Sequence, residues 1–386
     1  MRFGAIRQQE MCARPAETFP MTETTLSPST PLTSLATLLE TAAKPHELAA
    51  YRGTLTPREL DAPAVETEAL VTGAARHDLG WLRRVAVRGE DRFRWLSGMV
   101  TNMVNDLPSN GGAWNLVLNA QGRIQGDLHV WREDDSLELE IAADQYDRLM
   151  AHLDHFIIMD DVELVPLSGE SAVGLTGPLA DQVLSRLSLP TLAEPMTATR
   201  VEWNGLNLRI ARGYGVLAPH YELWAPEAQL FKVWMALRTA GATPVGCASL
   251  DAFRIAEGIP AYGIDMVERD LPQETSQMRA LHFSKGCYLG QEIVERIRSR
   301  GSVHRHLRAL ELVGPLPAGG TELSLPEGTD AAGHITSAVE LPLASGNRIF
   351  ALGTIKGEAE LRSQTFNYTA GTATGTARIV VLPPHF

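Results

Sequence analysis

Apolar and polar positions divide the chain into three textures. Residues 1 to about 33 are rich in Thr, Ser and Pro and poor in large apolar side chains. Such a segment cannot bury enough surface to offset its ordering entropy, and it reads as a disordered tail in which Met21 is a candidate start. A short helix is expected from Leu35 to Leu48. The body then alternates strands and helices. Val85 to Val87 is β-like, and Phe93, Leu96, Val100, Met103 and Leu107 follow at helical spacing, predicting one amphipathic helix. Trp114 to Asn119 and Ile124 to Trp131 flank Ala120-Gln121-Gly122 as a hairpin. Leu137, Leu139 and Ile141 alternate with acids as a half-buried strand, and Asp144 is placed to cap a helix carrying Leu149, Leu153 and Phe156. A second round follows. Val201 and Trp203, the turn Asn204-Gly205, then Leu206, Leu208 and Ile210 predict a tight hairpin, and Pro226 opens a helix that Gly241 closes. This recurrence points to a weak internal duplication. Beyond Gly301 short strand-like runs alternate with Gly/Pro turns and no helical period persists, so residues 301–386 read as a small β-domain, sandwich or barrel.

Composition narrows the function classes. A length of 386 residues predicts two or three domains. The net charge of −12 repels a phosphate backbone, which argues against general or direct nucleic-acid binding. Cys12, Cys247 and Cys287 are the only cysteines and form no CxxC pair, so neither a disulfide framework nor a self-sufficient metal cage is written here, and no metal ligands are assigned. No run of 18 apolar residues is present to span a bilayer. The expectation is a soluble, cytoplasmic protein with no membrane partner.

The densest unusual stretch is Lys285-Gly286-Cys287-Tyr288-Leu289-Gly290-Gln291-Glu292. Its glycines allow a tight backbone path that exposes the thiol, and Lys285 would favour the thiolate. The alternative is a cysteine buried as a small hydrophobe. Arg296, Arg298 and Arg300, followed by His304, Arg305, His306 and Arg308, form a basic strip. On a strand the first three share a face that could receive carboxylates or phosphates; otherwise they are a solvated face paired with Glu292 and Glu295. Asp127, between Gly126 and Leu128 on the hairpin, could hydrogen-bond a ligand nitrogen or serve as an ordinary edge-strand acid. No Walker loop, GxSxG elbow or GxGxxG motif is present.

The stretch Lys285 to Glu292, preceded by Leu271 to Glu274 and Phe283-Ser284, resembles the signature of YgfZ-type folate-binding proteins of iron-sulfur cluster assembly and repair. That family is related to the glycine cleavage T-protein, a tetrahydrofolate-dependent aminomethyltransferase. Gly98 to Asn102, Asn119 to Leu128, Gly213 to Leu223 and Arg254 to Tyr262 agree in order and spacing, so the resemblance runs from about residue 75 to 310. It implies an α+β, T-protein-like folate-binding fold: two α+β lobes in a ring over residues 34–300, and a C-terminal β-barrel over 301–386. It implies tetrahydrofolate, with or without a polyglutamate tail, held by Asp127, Glu222 and Arg254. Cys287 would be the essential group, Lys285 would tune it, and Gln291 with Glu292 would shape the channel wall. Implied partners are iron-sulfur enzymes or assembly proteins, among them tRNA-thiolating enzymes. The chain departs from the transferases in three places. One of the paired acids is Gly126, Val216 to Pro219 lacks an acid, and Ile255-Ala256-Glu257-Gly258 moves an acid one position along. An aminomethyltransferase and a non-catalytic scaffold are the competing expectations.

Overall fold

The computed structural model describes residues 30–31, 47–134, 136–301, 303–328 and 330–382. The expected N-terminal tail and the helix from Leu35 lie almost wholly outside them, although Leu48 opens a short strand, Leu48–Tyr51.

Each recurring strand-hairpin-helix unit contributes to one largely antiparallel sheet. The first contains, in spatial order, Gly112–Leu118, Ile124–Arg132, Leu137–Ala142, Leu82–Arg88 and Glu163–Leu167. The second runs Thr197–Trp203, Leu206–Arg212, His220–Pro226, Glu170–Thr176, Ala75–Asp78 and Thr243–Val245, with the last pair parallel. Asn204 and Gly205 both take positive φ, 50° and 76°, the mirror-image turn that matches strand twist. Helix Ala143–His155 closes the first sheet with Leu149 and Leu153, each fully buried and stabilising by roughly 1.5–3 kcal/mol. Helix Leu230–Thr239 does the same for the second through Val233, Trp234 and Leu237.

The third texture forms a closed six-stranded barrel whose first strand is Arg305–Val313 and whose last is Ala373–Ile379. Helix Cys247–Glu257 packs Ala252, Ile255 and Ala256 against barrel residues Leu307, Phe350 and Leu352. Buried Asp265 joins the parts, accepting hydrogen bonds from Arg254 (2.7 Å) and from barrel residues Thr336 (2.6 Å) and Ser337 (2.7 Å).

Three local expectations are corrected. Asp144 does not cap helix Ala143–His155: it lies in the first turn, and the N-cap position is Ala142. Helix Arg92–Met99 stops eight residues before Leu107, because Val100 turns extended at φ −126°, ψ 159°. Strand Leu137–Ala142 is buried on both faces: Glu138 is paired with Arg84, and Glu140 lines a cavity between the sheets.

Candidate functional site

A cavity of about 200 Å³ lies between the two sheets and helix Cys247–Glu257, and its walls include Asp127, Glu222 and Arg254. Asp127 faces inward because the hairpin places it two residues from His129, on the same side of one strand. Its carboxylate accepts from the Trp114 indole N–H at 2.9 Å and from the Gln145 amide at 3.0 Å. Arg254 donates to Asp251 at 2.6 Å and Asp265 at 2.7 Å, while its Nη2 is buried without a protein partner. Arg279 sits 5.1 Å from the ring centroids of both Trp114 and Tyr214, and burial lowers its affinity for its proton.

Across the cavity, Glu222 and Glu140 form a buried carboxyl pair. Burial, then the charge of Glu140, pushes Glu222 well above the carboxylate range. Burial opposes ionisation of Glu140 too, but the hydrogen bond from His129 (2.9 Å) and that from Glu222 bring it down to about 2. Burial and their mutual repulsion thus oppose ionisation of both carboxyls at once. The Trp224 indole donates to Glu222 at 2.9 Å. His77 and His220 stack at 5.6 Å and share the Thr176 hydroxyl at 2.9 and 2.7 Å. Burial holds His77 well below its ordinary value and takes His220 to about 4, so both stay neutral at pH 7. Glu257, also on the wall, accepts from the Val216 and Leu217 amides at 2.9 Å, and burial raises it to about 7.

The Lys285 to Glu292 stretch lies apart. None of Lys285, Cys287, Gln291 or Glu292 lines the cavity. Lys285 is buried and donates to the carbonyls of Ser97 (2.8 Å), Val100 (2.5 Å) and Asn102 (2.8 Å), with burial lowering it to about 7. It thereby meets the carbonyls freed where helix Arg92–Met99 ends. Its ammonium is thus committed to backbone, in place of the expected role beside the thiol. Cys287 is exposed, which removes the reading of a buried small hydrophobe. Tyr288 packs with Trp114 and Ile124 behind the hairpin that carries Asp127. Gln291 and Glu292 do not shape a channel wall: they open helix Gln291–Arg300, where Glu292 is exposed and pairs with Arg296 at 2.9 Å.

Arg296, Arg298 and Arg300 fall on that helix and not on a strand, and Arg296 and Arg298, two positions apart on it, point in different directions. Arg298 pairs with Glu295 at 3.5 Å. Arg305 is bound by Asp270 and Glu274, and His306 and Arg308 by Glu360. The strip is the paired, solvated alternative.

His129, Glu140, His77, His220, Trp114, Tyr214 and Arg279 were not singled out from the sequence. His129 carried a usable signal: it lies two positions from inward-facing Asp127 on one strand. The other contacts join residues far apart in the chain, such as His77 and Thr176, 99 positions apart.

Comparison with known proteins agrees with this architecture. The chain is 25% identical over 301 residues, 76% of its length and 67% of the relative's, to a chloroplastic transferase of Arabidopsis thaliana. It is 22% identical over 307 residues (77% and 83%) to an aminomethyltransferase of Thermoanaerobacter pseudethanolicus. It is 28% identical over 258 residues (64% and 70%) to that of Anoxybacillus flavithermus. The crystal structure of glycine cleavage system aminomethyltransferase T from Bartonella henselae superposes with a TM-score of 0.80, covering 92% of this chain and 98% of that one at 18% identity. The expected α+β fold with a C-terminal β-barrel is therefore present. The family model described as the GCVT N-terminal domain matches residues 45–285, well over half the chain, and the protein belongs to that family.

Proposed function

We propose that this protein is a tetrahydrofolate-binding accessory factor of the YgfZ type, cytoplasmic, serving the assembly or repair of iron-sulfur enzymes through Cys287. The observation that carries the reading is a carboxylate-lined cavity between the two sheets with an exposed thiol outside it. The cavity suits a pterin, which is flat and rich in N–H donors. Asp127 is fixed by Trp114 and Gln145 to accept from such donors. Arg254 has a free N–H for an acceptor, and Trp114, Tyr214 and Phe253 supply apolar walls. When bound, tetrahydrofolate supplies nitrogens able to carry a one-carbon unit. Asp127 orients the ligand, and the aromatic walls line its apolar faces.

The similarity to aminomethyltransferases supports a second reading, folate-dependent one-carbon transfer. There Asp127 would be the acid-base group at the reacting nitrogen, working without the second acid that Gly126 replaces. Turnover with methylamine donors that collapses in Asp127→Asn would establish it; no turnover with any donor removes it. A pure scaffold has less support, because the strip it would use for client proteins is already ion-paired.

The test is replacement of the gene by Cys287→Ser in cells. Iron-sulfur enzyme activities, including those of tRNA-thiolating enzymes, should fall to the level of the deletion while protein abundance is unchanged. Full activity in the variant would remove the thiol from the function.

A further inference from the structure

We propose that His129, Glu140 and Glu222 form a binding site for one divalent first-row transition-metal cation on the cavity wall. One donor atom from each lies within 4.8 Å of the others. Nitrogen and oxygen ligands bind such a cation at about 2.0–2.2 Å, which holds them roughly 3–4 Å apart, so small side-chain rotations close the set.

Among the described residues no arginine or lysine makes an ion pair with Glu140 or Glu222, and His129 is the one cationic group that can touch the carboxyls. Glu140 is 2% exposed, and no N–H or hydroxyl of the described residues donates to its Oε2; besides His129, only the Glu222 carboxyl hydrogen-bonds this side chain. Glu222 is also 2% exposed, and the nearest nitrogen to its Oε1 among possible ion-pair partners is that of neutral His220, at 4.0 Å. Of the neighbouring arginines, Arg84 pairs with Glu138 and Glu170, Arg200 with Glu133, and Arg209 with Glu133 through its Nε alone, its Nη1 and Nη2 being buried with no hydrogen-bond partner. Arg209 acts on the pair only from a distance. Two carboxyl groups thus face each other with room for a proton or a metal ion between them, and a cation neutralises both.

The ligands are also pre-positioned. His129 and Glu140 are direct partners across adjacent strands, and Glu222 comes from a strand of the other sheet, so the ion would bridge the two lobes. The Trp224 indole fixes Glu222 from behind, as an outer-sphere donor does at metal sites. One imidazole and two carboxylates make a borderline donor set, suited to Zn²⁺, Mn²⁺ or Fe²⁺ and unsuited to soft Cu(I). Three protein ligands beside a cavity leave coordination positions open, so the ion would polarise a bound oxygen or nitrogen ligand or activate water.

The experiment uses the full chain, dialysed against chelator and titrated calorimetrically with Zn²⁺ and separately with Mn²⁺, with no folate present. Its outcome is therefore independent of the folate reading. Wild-type protein should take up one ion per chain. Glu140→Gln should weaken that uptake at least about 100-fold, at or beyond the upper end for outer-sphere changes. Cys287→Ser, which deletes the exposed thiol as a competing Zn²⁺ ligand, should bind as wild type does. If circular dichroism shows Glu140→Gln unfolded, His129→Gln carries the same expectation. The proposal is overturned if wild type takes up neither ion stoichiometrically, in which case the carboxyl pair holds a proton only. It is equally overturned if uptake disappears in Cys287→Ser and survives in Glu140→Gln.

Discussion

Of the two glycines flanking Cys287, the structure requires only one. Gly290 has φ +80°, and a Cβ placed on it would lie 2.6 Å from the Asn119 carbonyl oxygen and 2.9 Å from the Gly122 Cα. Both obstacles are backbone, so neither can swing aside. Gly290→Ala therefore incurs the left-handed backbone cost of roughly 1–2 kcal/mol and an overpacking cost of roughly 1–3 kcal/mol, or about 2–5 kcal/mol together. For a cooperative unit of 386 residues, at about 2.1 cal/mol/K of unfolding entropy per residue, that lowers Tm by roughly 2–6 °C. At Gly286 a Cβ meets nothing within 4 Å and φ is not positive, so Gly286→Ala should stay within about 0.5 kcal/mol of wild type. Urea unfolding followed by tryptophan fluorescence, with calorimetric Tm values, measures both. Gly290 rests on the hairpin whose second strand carries Asp127, so its substitution should also weaken any ligand held by Asp127. Equal costs at the two glycines, or no cost at Gly290, would refute the claim that this contact locks the Cys287 segment to the cavity hairpin.

Two further outcomes follow from buried charges. Burial raises Glu257 to about 7 from an ordinary 4.5, so the folded state binds its proton more tightly than the unfolded chain does. The stability this adds is complete below pH 4.5 and is lost as pH rises to about 7, up to about 3 kcal/mol. Glu257→Gln keeps an acceptor for the Val216 and Leu217 amides, and should flatten the stability profile between pH 5 and 7; an unchanged slope in urea titrations would contradict this. Lys285→Met withdraws a donor from three carbonyls and should cost roughly 2–4 kcal/mol. Its Cys287 should react with a neutral disulfide at the wild-type rate; a tenfold slower reaction would restore the thiol-tuning role that the sequence led us to expect.

How far the sequence could be read follows from the range of the interactions involved. Both hairpins were legible because Gly122 and the Asn204-Gly205 turn state their geometry within a few residues. The change of texture at Gly301 marked the barrel for the same reason. The end of helix Arg92–Met99 was not legible, since it is set by Lys285, 188 positions from Ser97. The arginine run misled because a period of two in charge says nothing about backbone; Gly290 opens a helix there. Asp127, Glu222 and Arg254 were placed in one cavity by resemblance, whereas the histidines and Glu140 that complete it meet only through the pairing of strands. The Cys287 segment was recognised as special, but the sequence did not reveal that it lies outside the cavity.

The most direct test of the account is anaerobic calorimetry with tetrahydrofolate on wild type, Asp127→Asn and Cys287→Ser. Loss of the Asp127 carboxylate removes a charged acceptor worth roughly 1.5–3 kcal/mol, or about a 10- to 150-fold weaker Kd. The account predicts saturable binding to wild type, that loss in Asp127→Asn, and unchanged binding in Cys287→Ser. No binding to wild type, or equal affinity in Asp127→Asn, would contradict the assignment of the cavity to folate.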